Sequence, residues 1–388
     1  MKRLAVGPAA CATVGVSLAI AGCAGIRATS KEALGQEGRT GGICPEAAAI
    51  VCGVRAEGRF DRSDPSALAF AWSGTRIGAR FVGTSARVEL DDAQGKNYFA
   101  VLVDGSLRRD KLATKPGTHA YLLAEGLTSG EHEVTIQRLT EASLGETKFL
   151  GFRFGNKGGA LASLGPAPSR RIEVIGDSIS TGYGNEGKDE TCSFSPETEN
   201  HYLTYGAIAA RALGAELVTV AWSGKGVFSN RGSTVDTVTM PVLWKRTLPA
   251  REGSVWSFAE YPPDAVVINL GSNDFAPEVA DTSPFAAAYL GLVREVRARY
   301  PKAALFCALG PALSDVWPEG RMALTTARDA IEAAVRAMSD GGDRRVYFVE
   351  FPTQTRENGY GCDWHPNVKT NELMAAELER ELRAKMGW

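Results

Sequence analysis

The run Ile172-Glu173-Val174-Ile175-Gly176-Asp177-Ser178-Ile179-Ser180 decides how the second half of the chain is read. Ile172–Ile175 is an apolar strand candidate, and Gly-Asp-Ser ends it in a turn. Outward from it the pattern repeats. Glu216–Trp222 ends in Ser223-Gly224-Lys225-Gly226, and Ala265–Leu270 ends in Gly271-Ser272-Asn273-Asp274. Ala303–Leu309 and Val346–Phe351 are two further apolar runs. Helical stretches lie between them, clearest in Pro284–Tyr300, Arg321–Met338 and Asn371–Lys385. Buried strands alternating with helices predict an α/β domain around a parallel five-stranded sheet. In such sheets ligands bind at the carboxyl ends of the strands.

Those ends carry a hydroxyl at Ser178, a glycine turn at Gly224, an amide side chain at Asn273 and an imidazole at His365. Acyl transfer needs a nucleophile, a base to take its proton and fixed donors for the oxyanion. Each element alone is weak, since Gly-Asp-Ser is often a plain turn and Asn-Asp often caps a helix. Their order along the chain is the stronger signal. It resembles the SGNH, or GDSL, hydrolases, a family of serine esterases. The resemblance implies an SGNH-type, flavodoxin-like three-layer domain needing no cofactor and no metal. Ser178 would be the nucleophile and His365 the general base. The N–H groups of Ser178 and Gly224 and the Asn273 side chain would form the oxyanion hole, with Gly226 an alternative to Gly224. An α/β-hydrolase elbow is excluded, because Ser180 stands where G-x-S-x-G requires glycine.

The family places Asp three residues before His, but here that residue is Cys362 and Asp363 stands two before. The runs Gly361-Cys362-Asp363-Trp364-His365-Pro366 and Gly182-Tyr183-Gly184-Asn185-Glu186, behind a β-rich half, are similar to carbohydrate esterase family 2. The likeness covers residues 54–388. It implies a jelly-roll domain before the hydrolase domain and removal of acetyl groups from a polysaccharide of xylan or glucomannan type. Either Asp363 or a backbone carbonyl would then orient His365. Trp364 would offer a face for a sugar ring, or pack on the loop after Ser178, and Tyr183 would line the substrate site. Rival readings are a lysophospholipase, a peptidoglycan O-acetylesterase and a carbohydrate-binding protein without turnover. With Trp364 beside the base and a Cys192–Cys362 clamp on the loop, the site edge is expected to be narrow and partly aromatic, and the four site segments show no long apolar run to form a groove for a long acyl chain. His201, near the end of the loop after Ser178, is expected at the surface.

From Val54 to Phe154 short apolar segments alternate with turns, among them Ala67–Trp72, Ile77–Val82, Ala86–Leu90, Tyr98–Val103 and Glu131–Ile136. This predicts an antiparallel sandwich. His119 and His132 read as solvated strand or turn residues. The expected organisation is a signal over 1–23, a tether over 24–53, the sandwich over 54–165 and the hydrolase domain over 166–388.

Lys2 and Arg3 precede an uncharged stretch ending in Ile20-Ala21-Gly22-Cys23. A basic start and an apolar run predict an export signal, and its last four residues resemble a bacterial lipobox. Cys23 would then carry lipid and anchor an exported lipoprotein to a membrane. The chain has 7 cysteines. Cys307 sits in an apolar run and reads as a buried small hydrophobe. Cys44, Cys52, Cys192 and Cys362 allow three pairings in an oxidising compartment, of which 44–52 with 192–362 is favoured. None has zinc spacing.

In 388 residues, 43 Lys and Arg balance 45 Asp and Glu, leaving a net charge of −2. That balance offers no general attraction to nucleic acid. With 43 glycines and 18 prolines the chain is neither collagenous nor low-complexity. A monomer is expected.

Overall fold

A computed structural model describes residues 53–155, 160–232 and 237–388. The signal, Cys23, the tether to residue 52 and the Cys44–Cys52 pairing lie outside the described residues. The described residues all belong to one compact unit.

Its first half is an antiparallel sandwich of the jelly-roll type. In chain order the strands are β1 (Val54–Glu57), β2 (Leu68–Phe70), β3 (Arg76–Val82), β4 (Ala86–Asp92), β5 (Tyr98–Val103), β6 (Ser106–Leu107), β7 (Leu112–Ala113), β8 (Gly117–Ala124), β9 (Glu131–Arg138), β10 (Thr147–Phe154) and β11 (Ala160–Ala162). One sheet runs β1-β3-β9-β5-β6, with β11 on β3 and β7 on β5; the other runs β2-β10-β4-β8. Alternation explains the packing. Val88 and Leu90 in β4 and Val134 and Ile136 in β9 point inward to meet Phe70, Phe81, Phe99 and Phe149 in one core.

The second half holds β12 (Arg170–Gly176), β13 (Ala215–Ala221), β14 (Ala265–Asn269), β15 (Ala304–Leu309) and β16 (Val346–Glu350), all parallel in the order β13-β12-β14-β15-β16. Strand order reverses beside β12, so the crevice at its carboxyl end is the natural ligand site. The helices are α1 (Ser178–Thr181), α2 (Tyr205–Leu213), α3 (Met240–Leu243), α4 (Phe285–Arg299), α5 (Ala323–Asp340) and α6 (Val368–Met386). On one face α2 and α6 bury Tyr205, Leu213, Met374 and Leu378 against Val174 and Phe306. On the other, α4 and α5 bury Phe285, Leu292 and Ile331 against Ile175, Ile268 and Leu305. Cys307 is fully buried and free.

The two halves share a core. Trp72 and Ala142 of the sandwich belong to the same buried cluster as Ile175, Trp244 and Trp256. A polar lock sits inside it. Arg59, fully buried, donates to the Trp244 carbonyl, to the Arg246 carbonyl at 3.0 Å and to Glu173 at 3.4 Å. Trp244 Nε1 and the Tyr300 hydroxyl donate to the same carboxylate at 2.6 and 3.0 Å. Glu173 breaks an otherwise apolar central strand, and a charge there is tolerable only because its oxygens are satisfied. His201 is buried rather than exposed. Its ring meets Gln137 of the sandwich at 3.3 Å and Thr219 at 2.9 Å, partners 64 and 18 residues away.

Candidate active site

Ser178 opens α1 directly after β12. Asp177 caps that helix, accepting from the Ile179 N–H at 3.0 Å, and also takes the Ser272 hydroxyl and the Asn273 amide at 3.3 Å. Burial pushes the Asp177 carboxyl up to about 6. The Ser178 side chain is 7% exposed and faces His365, whose Nε2 lies 2.9 Å from its Oγ.

The imidazole is oriented from behind by the chain itself. Nδ1 lies 3.1 Å from the carbonyl oxygens of both Cys362 and Asp363. Carbonyls only accept, so Nδ1 carries the proton and Nε2 is left to accept from the serine hydroxyl. The carbonyls face that way because Asp363 and Trp364 are both left-handed, with φ of 52° and 63°. Such backbone is costly for residues with a Cβ and persists only when the surroundings hold it. Gln354 Nε2 donates to the Trp364 carbonyl at 2.9 Å, and three contacts tie the turn to the loop after Ser178. Cys362 is disulfide-bonded to Cys192, closing a loop of 170 residues. The Asp363 carboxylate accepts from the Tyr183 hydroxyl at 2.8 Å and from the Phe194 N–H at 2.9 Å. Tyr183 stacks on the His365 ring at 4.1 Å and on Phe194 at 4.4 Å.

The Asp363 carboxylate therefore does not orient His365. Its reach is spent on the loop after Ser178, and the carbonyl alternative describes the molecule. Tyr183 borders the small pocket but backs the base, and both burial and the Asp363 charge raise its phenol. Burial pushes His365 down to about 4; the Arg231 charge adds to this and the two carbonyls oppose it.

Gly224, Asn273, Ser178 and His365 line one small pocket of about 430 Å³. Gly224 is the glycine that borders this pocket, while the Gly226 N–H is given to Asn230 at 3.2 Å. Gly226 is glycine for closeness, since a Cβ there would sit 2.0 Å from the Ser229 carbonyl and 2.7 Å from Asp274. The Asn273 amide is fixed by the Lys225 carbonyl at 3.0 Å. Asp274, read from sequence only as part of the segment that ends the third strand, accepts the N–H groups of Val227, Phe228 and Ser229 at 2.8–3.0 Å and so shapes the glycine loop. Burial raises its carboxyl to about 6.

A second cavity of about 820 Å³ joins the first at Ser178, Asn273 and His365. Pro311, Leu313, Val316 and Trp317 line one side, and Tyr360 and Trp364 the other. Val316 is 85% exposed, Trp317 66% and Trp364 55%. The expected narrow edge is thus corrected on this side. The segment after β15 supplies an apolar wall, and it was missed because it carries no strand-end motif. Trp364 stands at the cleft, its ring 5.1 Å from Tyr360.

A serine paired with a carbonyl-oriented histidine, at the switch point of a 2-1-3-4-5 parallel sheet, defines an SGNH-type hydrolase domain. Comparison with known proteins agrees. Residues 56–163 match the carbohydrate esterase 2 N-terminal model, and residues 174–373 match the GDSL-like lipase/acylhydrolase model. The chain is 43% identical over 336 residues to a cellulase/esterase, CelE, of Acetivibrio thermocellus, covering 87% of this chain and 40% of that protein. It is 26% identical to an acetylxylan esterase / glucomannan deacetylase of Cellvibrio japonicus, across 84% of this chain and 88% of that one. A family two carbohydrate esterase from Clostridium thermocellum, solved with cellohexaose, superposes with a TM-score of 0.81 at 42% identity, covering 87% of this chain and all of that one. The chain belongs to the GDSL-like lipase/acylhydrolase family, among the family 2 carbohydrate esterases.

Asp363→Asn keeps an acceptor oxygen and tolerates left-handed backbone. It should therefore lower kcat less than tenfold on p-nitrophenyl acetate; a loss near 10⁴, about what removing a triad carboxylate costs, would restore a catalytic role to the carboxylate. The pH profile gives a separate check. Only the neutral imidazole accepts the serine proton, so with His365 held down to about 4 its competent form persists well below the ordinary histidine range. The acid limb of kcat/KM should fall between pH 4 and 5, as expected of a base at about 4; a midpoint at the ordinary value of about 6.5 would contradict this.

Proposed function

We propose that the protein is a serine esterase that removes O-acetyl groups from a polysaccharide through an acyl-enzyme. The observation that carries this reading is the 2.9 Å approach of His365 Nε2 to Ser178 Oγ with Nδ1 held by two carbonyls. Ser178 Oγ attacks the acetyl carbonyl while His365 takes its proton. The oxyanion is received by the N–H groups of Ser178 and Gly224 and the Asn273 amide. Collapse breaks the ester bond, and the imidazolium returns its proton to the departing sugar oxygen. Water, activated by the same imidazole, then releases acetate and restores Ser178.

The polar pocket suits a small acyl group, and the cleft with Trp317, Tyr360 and Trp364 suits the chain that bears it. Aromatic faces pack against the C–H faces of sugar rings and exclude water there. The relatives named as acetylxylan esterase / glucomannan deacetylase support xylan or glucomannan as the substrate class. The apolar cleft is also what favours the lipid-ester rival. A groove that bound acyl chains would add about 0.8 kcal/mol per buried methylene. We expect kcat/KM to be highest for acetyl esters and to fall by butyrate, and Ser178→Ala to lower kcat by about 10⁴ or more. Acetate release from acetylated xylan and glucomannan is the direct assay. Rates rising from acetate to octanoate would replace this reading with a lipase.

The lipobox at Ile20–Cys23 supports export and anchoring through a lipid on Cys23, without a spanning helix. Cys23→Ser should move the protein from the detergent phase to the aqueous phase on Triton X-114 partition. Equal partition of the two proteins would count against the anchor.

A further inference from the structure

Gly224 is held in place from outside the hydrolase half. The Ser223 N–H, one residue before it, donates to Glu141 Oε2 at 2.8 Å. Glu141 follows β9 of the sandwich and precedes the short turn Ala142–Leu144. Its other oxygen accepts the Ser143 hydroxyl at 2.8 Å, and its carbonyl accepts from Arg138 Nη2 at 2.9 Å. Its own N–H donates at 2.9 Å to Glu199, which closes the loop that began at Ser178. Arg138, Glu141 and Glu199 are all buried, at 0%, 3% and 0% exposure. Glu141 thus ties the glycine loop, through Glu199, to the loop that carries the nucleophile.

Two neighbouring carboxyl groups are expensive to bury. Burial raises the carboxyl of both, most strongly at Glu199, where the Glu141 charge adds to it. An apolar pair would pack there at lower cost. What a carboxylate supplies instead is a strong, directional hold on one backbone N–H. Oxyanion donors act only if their positions are set before the charge develops. The next residue after that N–H is the glycine bordering the serine and Asn273.

We infer that Glu141 is a positioning residue of the sandwich domain that sets the Gly224 N–H in the oxyanion hole. The inference rests on the esterase reading above. It makes the sandwich part of the catalytic apparatus rather than an appended module.

The test uses the full chain with p-nitrophenyl acetate and with methylboronic acid, whose tetrahedral adduct on Ser178 places an oxygen in the oxyanion hole. Glu141→Asp withdraws the carboxylate by one methylene, and Glu141→Ala removes it. Both should lower kcat on the order of 10- to 100-fold, below the 10²–10³ of losing a donor outright, with KM within about threefold. The inhibition constant of the boronic acid should rise by the same factor as kcat falls. Glu141→Gln, which keeps an acceptor oxygen in place, should recover most of the loss. A folded Asp variant with wild-type kcat, or a change confined to KM with unchanged boronate affinity, would overturn the inference. So would failure of all three variants to fold, which would make Glu141 structural. A wild type inert on every ester would instead overturn the esterase reading.

Discussion

The left-handed turn at Asp363 and Trp364 is the constraint on which the site depends. It aims two carbonyl oxygens at one ring nitrogen of His365, and that choice of tautomer frees the other nitrogen for Ser178. Two adjacent residues of positive φ, neither of them glycine, are unstable in isolation. Three of the groups that hold them come from the loop after Ser178: Cys192 through its disulfide, Tyr183 through its hydroxyl and Phe194 through its N–H. The loop that leaves the serine therefore returns to fix the histidine. Nucleophile and base are separated by 187 residues in sequence but share one clamp.

The sandwich is bound to this arrangement as firmly as one half of a core to the other. Arg59 enters the hydrolase half and meets Glu173 on β12, the strand that ends at Ser178. Removing one member of such a buried pair strands the other charge, which is why these contacts hold the halves in one geometry rather than merely adding stability. Glu141 also crosses between the halves, accepting the N–H of Ser223 beside Gly224. Both of these contacts reach an element adjacent to a site residue, Arg59 through Glu173 on β12 and Glu141 through the N–H of Ser223. The loop is tied as well, since Lys111 of the sandwich donates to the Glu197 carbonyl at 2.6 Å.

Much of this was legible because it is written locally. The five apolar runs became the five parallel strands within a residue or two at each end, since a strand buried on both faces needs a continuous apolar segment. Ser178, Gly224, Asn273 and His365 could be brought to one edge on paper because chain order, sheet order and the carboxyl-edge rule together place them there, and they do line one pocket. What escaped is long-range. Asp274 reads only as part of the segment that ends the third strand, and its three N–H partners lie 45–47 positions earlier. His201 looks like a surface residue until Gln137 and Thr219 cover it. The spacing around Asp363 showed an aspartate near the base, but the sign of φ decides where its side chain points. Val316 and Trp317 follow no strand-end motif, so nothing local marked them as a wall of the cleft.

The carbonyl-oriented base carries a chemical consequence. A carboxylate at Nδ1 would raise the imidazole pKa and make it a stronger acceptor, while neutral carbonyls fix the ring without supplying that charge. Burial, which the two carbonyls offset only in part, holds His365 well below the ordinary range, at about 4. Such a base takes the serine proton less readily but stays unprotonated across a wider span of pH. The Asp363 charge, two residues before the ring, favours the imidazolium weakly; the Arg231 charge opposes it more. Arg231 also borders the pocket shared by Gly224 and Asn273. A cation there disfavours the imidazolium and favours the oxyanion, the two charges that the attack creates together. In the proposed mechanism, weak support for the base would coexist with strong support for the charge it helps to create, and the fixed donors would carry the larger share of transition-state stabilisation.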